Sequence, residues 1–447
     1  MRPWARRSTP SRSSSRSRRP APRGSFVQHV LIAPDKFKGS LTASEVAAHL
    51  AEGLRRVRPE VPVETMPVAD GGDGTVEAAV ACGFTRVEAT VTGPTGRPVT
   101  AAYALRGDTA VIEMAEASGL RRLPGGRLEP LTATSRGTGE LIAAALDAGA
   151  ARVVLGLGGS ACTDGGAGLV EALGARLLDS RGRPLPAGGA ALRDLHTLDL
   201  GGLRKVPLII ASDVDNPLLG PNGAAEVYGP QKGALPADLR VLEAGLARWA
   251  EAVARALAGQ AGGAAPGRAG ALSPGRAPAA VAATGRASSP PGRTAGGGGR
   301  SAEELAALPG AGAAGGVGFA ALTLLGGTFQ PGIAYLLDLL GFADRAAGAR
   351  LVITGEGSLD RQSLSGKAPV GVARAAVRAG ARVVAVAGRK TLTGEQLRRA
   401  RIDAAYALTD LEPDVDTCIA EAGPLLERLA ERIAQDWLTP DPATPSP

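Results

Sequence analysis

The stretch Leu351-Val-Ile-Thr-Gly-Glu-Gly-Ser-Leu-Asp-Arg-Gln-Ser-Leu-Ser-Gly-Lys367 decides the fold. An apolar strand, Leu351 to Ile353, runs straight into a turn holding glycines, two carboxylates, an amide and a lysine. Pro369 then opens a helix, as proline does at a first helical turn. Strand, polar turn and helix start, in that order, is how open α/β sheets present ligand sites at the carboxyl ends of their strands. The residue types suit phosphoryl transfer: carboxylates for magnesium, a cation for phosphate oxygens, glycines for close backbone approach.

The same unit recurs outward from there. Val27 to Ala33 reads as a buried strand, followed by the turn Pro34-Asp-Lys-Phe-Lys-Gly-Ser40. Thr42-Ala-Ser-Glu45 matches a capping box, and Val46, Leu50, Leu54 and Val57 follow at helical spacing. Two lysines thus precede a helix N-terminus, where an anion is favoured. Short β-like runs fill the middle: Val87 to Val91, Val99 to Leu105 and Ala110 to Met114. A helix is expected over Gly139 to Ala148 and a strand over Arg152 to Leu157. The polar turn Gly158 to Gly166 follows, then a helix over Leu169 to Leu178. Val206 to Ala211 is a strand running into Ser212-Asp-Val-Asp-Asn-Pro217, and Arg382 to Ala387 is the last strand. This pattern predicts an α/β protein whose sites converge from several turns, with a β-richer second domain inserted into the first.

Composition narrows the function. The 447 residues suffice for two domains with cores of their own. The net charge of +7 misleads: eight arginines lie in residues 1–25 and five in 259–300, with no acid in either segment. Without those thirteen charges the balance is −6, so the folded part is mildly acidic and unsuited to nucleic acid. Cys82, Cys162 and Cys418 are too far apart in sequence to suggest a disulfide framework or zinc spacing, which fits a reducing cytoplasm. No run of 18 apolar residues exists, so no membrane partner is expected. Residues 1–26 read as an Arg/Ser-rich leader without the apolar core of a secretory signal. Residues 259–301 read as a disordered Ala/Gly/Pro linker, and 438–447 as a tail.

Taken singly, the motifs admit two readings. Asp70-Gly-Gly-Asp-Gly-Thr75 is either a pair of acids for metal or base chemistry or a plain Asp-Gly turn. Asp213-x-Asp215-Asn216-Pro217 offers hard oxygen ligands or an Asx turn. Gln231-Lys232 serves equally as a surface turn. Gly310-x-Gly312-x-x-Gly315 fits a dinucleotide pattern, or a tight approach between packed elements. Gly366-Lys367 is not a Walker A loop, because Arg361 and Ala368 stand where glycine and a hydroxyl residue are required. His29, His49 and His196 sit in no acid–base pattern. In combination the motifs are more informative, since a neutral ligand has little use for so many charged, glycine-rich turns after apolar strands.

In this order and combination the motifs resemble the type 1 glycerate kinases. The resemblance is carried by Ala33 to Ala43, Val68 to Thr75, Thr134 to Ile142, Gly158 to Gly166, Asp213 to Leu218, Tyr228 to Gly233, Gly310 to Gly318 and Gly355 to Lys367. It implies a Rossmann/flavodoxin-like parallel-sheet domain, residues 27–62 and 302–437, with a second α/β domain, 63–258, inserted into it. It implies ATP-dependent phosphorylation of D-glycerate to 2-phosphoglycerate in preference to 3-phosphoglycerate, with Mg2+, by a monomer or homodimer. The alternatives are a kinase for another small hydroxy acid and a non-catalytic ligand-binding or regulatory protein. The chain departs from the family at Ala161-Cys-Thr-Asp-Gly-Gly166, where Ala-Thr-Asn-Asp-Gly-Gly is usual; Asp164 is kept, so a tuned site is expected rather than a dead one.

On this resemblance Lys38 and Lys367 take the two anionic roles, phosphate and carboxylate. Asp70 or Asp73 orients or deprotonates the hydroxyl, and Asp164 joins them in the catalytic set. Asp213 and Asp360, with Glu356, hold magnesium. Gly158, Gly159, Ser160, Gly312 and Gly315 offer N–H groups to phosphates, with Lys232 beside them.

Overall fold

A computed structural model describes residues 28–262 and 300–438. The leader, the bulk of the 259–301 segment and the tail after Leu438 lie outside the described residues. The strands are β1 (His29–Pro34), β2 (Val63–Thr65), β3 (Thr85–Thr92), β4 (Pro98–Arg106), β5 (Thr109–Glu113), β6 (Arg152–Gly156) and β7 (Arg176–Leu178). They continue with β8 (Thr197–Asp199), β9 (Leu208–Ala211), β10 (Thr328–Gln330), β11 (Ala349–Leu359), β12 (Arg382–Lys390) and β13 (Ala404–Ala407).

Five strands form a parallel sheet in the order β13-β12-β11-β1-β2. Six form a second sheet, β10-β9-β6-β5-β4-β3, parallel except for the antiparallel β3-β4-β5 meander. Alternation along the strands assigns each face. Val30, Ile32, Leu351, Ile353, Val384 and Val386 pack on helices Ala43–Val57 and Ala422–Trp437. Leu31, Ala33, Val352, Val383 and Ala385 face the other way, into a core shared with Val111, Val154 and Ala211 of the second sheet. Helices Thr75–Ala81, Gly332–Leu339 and Ala368–Arg378 fill that interlayer. Strands buried on both faces read as unbroken apolar runs, which is why they were visible in the sequence.

Sheet membership corrects both expected domain boundaries. β2 belongs to the first sheet, so the chain leaves it after Thr65 rather than after residue 62. β10 pairs with β9, and Leu305, Ala306, Val317 and Phe319 pack into the second sheet's own core. The return therefore falls after Gln330 and not at 302. The linker expectation also fails at its edges: helix Pro236–Gly262 runs through 259–262, and Ser301 caps helix Ala302–Ala306 with a capping box. Leu438, read as the start of the tail, is buried and donates its N–H to the Ala434 carbonyl. The helix expected over Leu169 to Leu178 is helix Ala167–Ala172 followed by β7. Edge strand β13 leaves little mark in the sequence because only four residues of it pair, mostly half-buried.

The capping box at Thr42 is present: its hydroxyl accepts from Glu45 N, and Glu45 accepts from Thr42 N at 2.8 Å. Pro369 stands in the first turn of helix Ala368–Arg378. Cys82, Cys162 and Cys418 are all buried free thiols. No helix among the described residues is long and apolar enough to cross a membrane.

Candidate active site

In the first sheet the chain steps from β1 to β2 on one side and reaches β11, β12 and β13 on the other. The crevice between β1 and β11 is therefore the topological switch point, where doubly wound sheets bind ligands. Asp35, just beyond β1, donates its N–H to the Gly355 carbonyl of β11 at 2.8 Å. A cavity of about 380 Å³ opens there, lined among others by Asp35, Lys38, Asp70, Glu356, Lys367 and Arg389. A second cavity, about 510 Å³, holds Asp70, Gly158, Asp213, Tyr228, Gln362 and Lys367. A third, about 210 Å³, is lined by Lys38, Gly159, Ser160, Tyr228 and Lys232. Asp70 and Lys367 border the first two, and Lys38 borders the first and third. Turns from both sheets thus meet around one connected cleft.

Backbone contact between loops builds this meeting point. Gly71 has φ of 95°, and a Cβ there would lie 2.2 Å from the Ala211 carbonyl. A Cβ at Gly158 would lie 2.4 Å from the Gly72 Cα. Only glycine lets the turn after β2 rest directly on the turn after β6. Gly158 N–H is consumed by the Gly71 carbonyl at 3.1 Å, and Gly312 N–H by the Asn216 carbonyl at 2.8 Å. Neither is free to bind phosphate, which corrects the role expected for both. Gly315 serves close packing too: its Cβ would meet the Cys162 carbonyl at 2.2 Å and Lys232 Nζ at 2.9 Å. Gly159 and Ser160 remain at the edge of the third cavity.

Three further expectations change. Lys232 is not a surface turn: it is 2% exposed and donates to the Cys162 carbonyl at 2.5 Å. Burial lowers its ammonium pKa, against the pull of Cys162 and Asp164. Asp164 is 1% exposed, and its carboxylate accepts from Ser135 N, Ser135 Oγ, Thr134 Oγ1, Gly166 N and Gly168 N. It organises the turn and has no oxygen turned to the cleft for catalysis. Asp213, Glu356 and Asp360 do not assemble into a metal cage; among the described residues no group of three His, Cys, Asp or Glu is placed to hold a metal. Asp360 spends its oxygens on Gln362 N and Ser358 Oγ, and that turn lowers its pKa, Gln362 N–H most.

The remaining acids still fit magnesium, which takes one or two carboxylates and completes its shell with water and phosphate oxygens. Glu356 Oε1 is buried without a hydrogen-bond partner. Burial raises the Glu356 pKa, Ser363 and Lys367 oppose this, and Asp70 and Asp360 add to it. Asp213 is raised by desolvation despite its exposed area, against the Gly332 N–H that it accepts at 3.2 Å, with Asp70 adding to the rise. Asp70 contributes to both shifts, so a cation at this place relieves repulsion that the protein alone leaves unmet.

Several residues at the site carried no separate signal. Lys36 Nζ donates to the Asp73 carbonyl at 2.6 Å and lies 3.6 Å from Asp35 Oδ1. Burial pulls the Lys36 ammonium down, but Asp35, Asp70, Asp73 and Glu113 outweigh it, and the net shift is upward. Glu113, at the end of β5, accepts from Gly74 N at 2.9 Å and Val76 N at 3.3 Å, and pairs with Arg121 at 3.0 Å. It thereby fixes the Asp70–Gly74 turn. Its pKa is pushed up to about 7, chiefly by burial. Its position as a strand-end acid was the one available clue. Asp73 Oδ1 is buried without a partner and faces Gly159, whose Cβ would meet it at 2.6 Å.

With this geometry in view, comparison with known proteins identifies the class. The model of the glycerate kinase family matches residues 30–438, and the chain belongs to that family of phosphotransferases. It is 40% identical to the glycerate kinase of Bacillus subtilis (strain 168) over 412 residues, 91% of this chain and 96% of the relative. It is 39% identical to the glycerate 2-kinase of Escherichia coli (strain K12) over 387 residues, 85% of this chain and 90% of the relative. A crystal structure assigned as glycerate kinase 2 from Salmonella typhimurium LT2 superposes with a TM-score of 0.71 at 37% identity, covering 92% of this chain and 98% of that one.

Proposed function

We propose that the enzyme transfers the γ-phosphoryl group of ATP to the 2-hydroxyl of D-glycerate. The observation that carries this reading is the convergence of Lys38, Asp70, Asp213 and Lys367, from turns of both sheets, on one cleft. Phosphoryl transfer needs positioning and charge neutralisation more than covalent help. Lys38 and Lys367 bind the migrating phosphoryl group and the carboxylate. Asp70 or Asp73 orients the acceptor hydroxyl and takes its proton; Asp70 borders the first two cavities, and Asp73 a neighbouring one with Lys36, Lys38 and Arg121. One or two of Asp70, Asp213 and Glu356 would hold Mg2+, directly or through water, and the ion would screen phosphate charge. Lys36 and Glu113 keep the Asp70–Gly74 turn in place. The preference for the 2-hydroxyl rests on the printed name of the Escherichia coli relative. Three buried free thiols suit a reducing cytoplasm, and we take the working form as a monomer or homodimer.

Phosphorus NMR of the product made from D-glycerate and ATP tests the reading. A 2-phosphoglycerate resonance is expected; 3-phosphoglycerate overturns the regiochemistry, and no glycerate-dependent ADP release overturns the activity. Lactate, tartronate and larger aldonates in the same assay test the alternative of another hydroxy acid.

A further inference from the structure

We propose that the purine nucleoside of the phosphoryl donor occupies the apolar half of the switch-point cavity, between Phe37, Leu408, Val415, Cys418 and Ile419. This rests on the ATP-dependent reading above and adds to it where the two substrates sit. The cavity is mixed in its chemistry. Lys36, Lys38, Lys367 and Arg389 line it together with Asp35, Asp70 and Glu356, and so do those five residues, supplied by the turn after β1 and the segment after β13. Phe37, Leu408 and Cys418 are buried, but Val415 and Ile419 are 48% and 47% exposed. They stand four residues apart on helix Val415–Ala420 and so share one face, which also lines the cavity.

Two exposed aliphatic side chains, Val415 and Ile419, facing an open cavity are useful to a ligand with an apolar face. Glycerate, three carbons bearing a carboxylate and two hydroxyls, has none. A purine has one, and its polyphosphate would meet four cations, Lys36, Lys38, Lys367 and Arg389, against three carboxylates in the same cavity. The dimensions agree, since about 380 Å³ lies in the range of small-molecule sites. The position agrees as well, because nucleotides sit at the switch point of doubly wound sheets. Glycerate is then left the neighbouring cavities, with Asp70, Asp213 and Tyr228 in one and Ser160 and Lys232 in the other. Lys38 and Lys367 stand on the borders between these spaces, so the terminal phosphate and the acceptor hydroxyl meet beside them.

The test is ADP binding by calorimetry to the full chain and to Val415→Asp, Ile419→Asp and Ile419→Leu, with steady-state kinetics alongside. Both aspartates fall on exposed positions, and thermal melts check that the fold is kept. ADP affinity and KM for ATP should worsen about tenfold or more in each aspartate variant. KM for glycerate should stay within about twofold, and Ile419→Leu should retain ADP affinity. Unchanged ADP affinity in both folded aspartate variants overturns the proposal, as does a parent chain that binds no ADP. A parent that binds ADP but releases none in response to glycerate overturns the functional reading instead; lost binding in the variants still supports the pocket.

Discussion

The Lys36 ammonium donates to the main-chain carbonyl of Asp73 at 2.6 Å, joining the turn after β1 to the glycine turn that follows β2. The bond leaves the Asp73 carboxylate unused, with Oδ1 buried and unpartnered. Lys36→Met removes the tie and leaves Asp35 and the Asp73 carbonyl without their cation. Turnover should fall about a hundredfold, because misplacing a reacting group by an ångström costs that much. Stability should fall by roughly 1–3 kcal/mol for the unsatisfied partners. Normal turnover in this variant refutes the positioning role.

Asp73→Asn separates chemistry from folding. An amide cannot take the hydroxyl proton, so kcat should drop about 10²- to 10⁴-fold. Because Oδ1 has no partner to lose, the melting temperature should hold. A variant with parental kcat would remove Asp73 from the mechanism.

Lys367→Ala tests the other side of the cleft. Its ammonium lies 3.8 Å from Glu356 Oε2, and its side chain is 39% exposed. Stability should change by less than about 0.5 kcal/mol. The kcat/KM should fall about 10²- to 10³-fold if the charge stabilises the migrating phosphoryl group. Arginine at this position should restore part of the loss.

Asp164→Asn should act through the fold. Its carboxylate gathers three main-chain N–H groups and two hydroxyls. An amide nitrogen turns donor against donor, at a cost of roughly 2 kcal/mol or more. Denaturant unfolding measures this, and a midpoint equal to that of the parent refutes it.

Asp35 makes stability depend on pH. Burial lifts its pKa from 3.8 to about 7, against the pull of Lys36 and with a contribution from Asp70 and Glu356. The folded chain thus holds a proton that the unfolded chain has released, and stability declines as pH rises from about 4 to 7. Glu113, also raised to about 7, acts in the same sense. The melting temperature of Asp35→Asn, relative to the parent, should therefore improve from pH 5 to pH 8. A difference that stays flat with pH contradicts the shift.

Much of the architecture was legible because burial on both faces leaves a mark in composition. Val30 to Ala33 and Leu351 to Ile353 are apolar without a break, and the Thr42–Glu45 capping box and Pro369 announce their helices locally. The glycines were legible as a motif but not in purpose. Gly158 and Gly312 spend their N–H groups on neighbouring loops, and only a folded neighbour reveals that use. Lys36 and Lys38 lie in the same turn and both line the switch-point cavity, and nothing local tells which one is tied to Asp73.

The amino-acid order by itself determined the alternation of strand, charged turn and helix, because propensity, capping and hydrophobic period act over a few residues. It also carried the family, through motifs whose order along the chain is intact. Tertiary structure alone decided that β2 closes the first sheet and β10 the second, and that Asp164 and Lys232 are interior. Those outcomes depend on contacts between segments tens to hundreds of residues apart. The energy of burying a charge or spending an N–H belongs to such contacts and leaves no local period for a sequence to display.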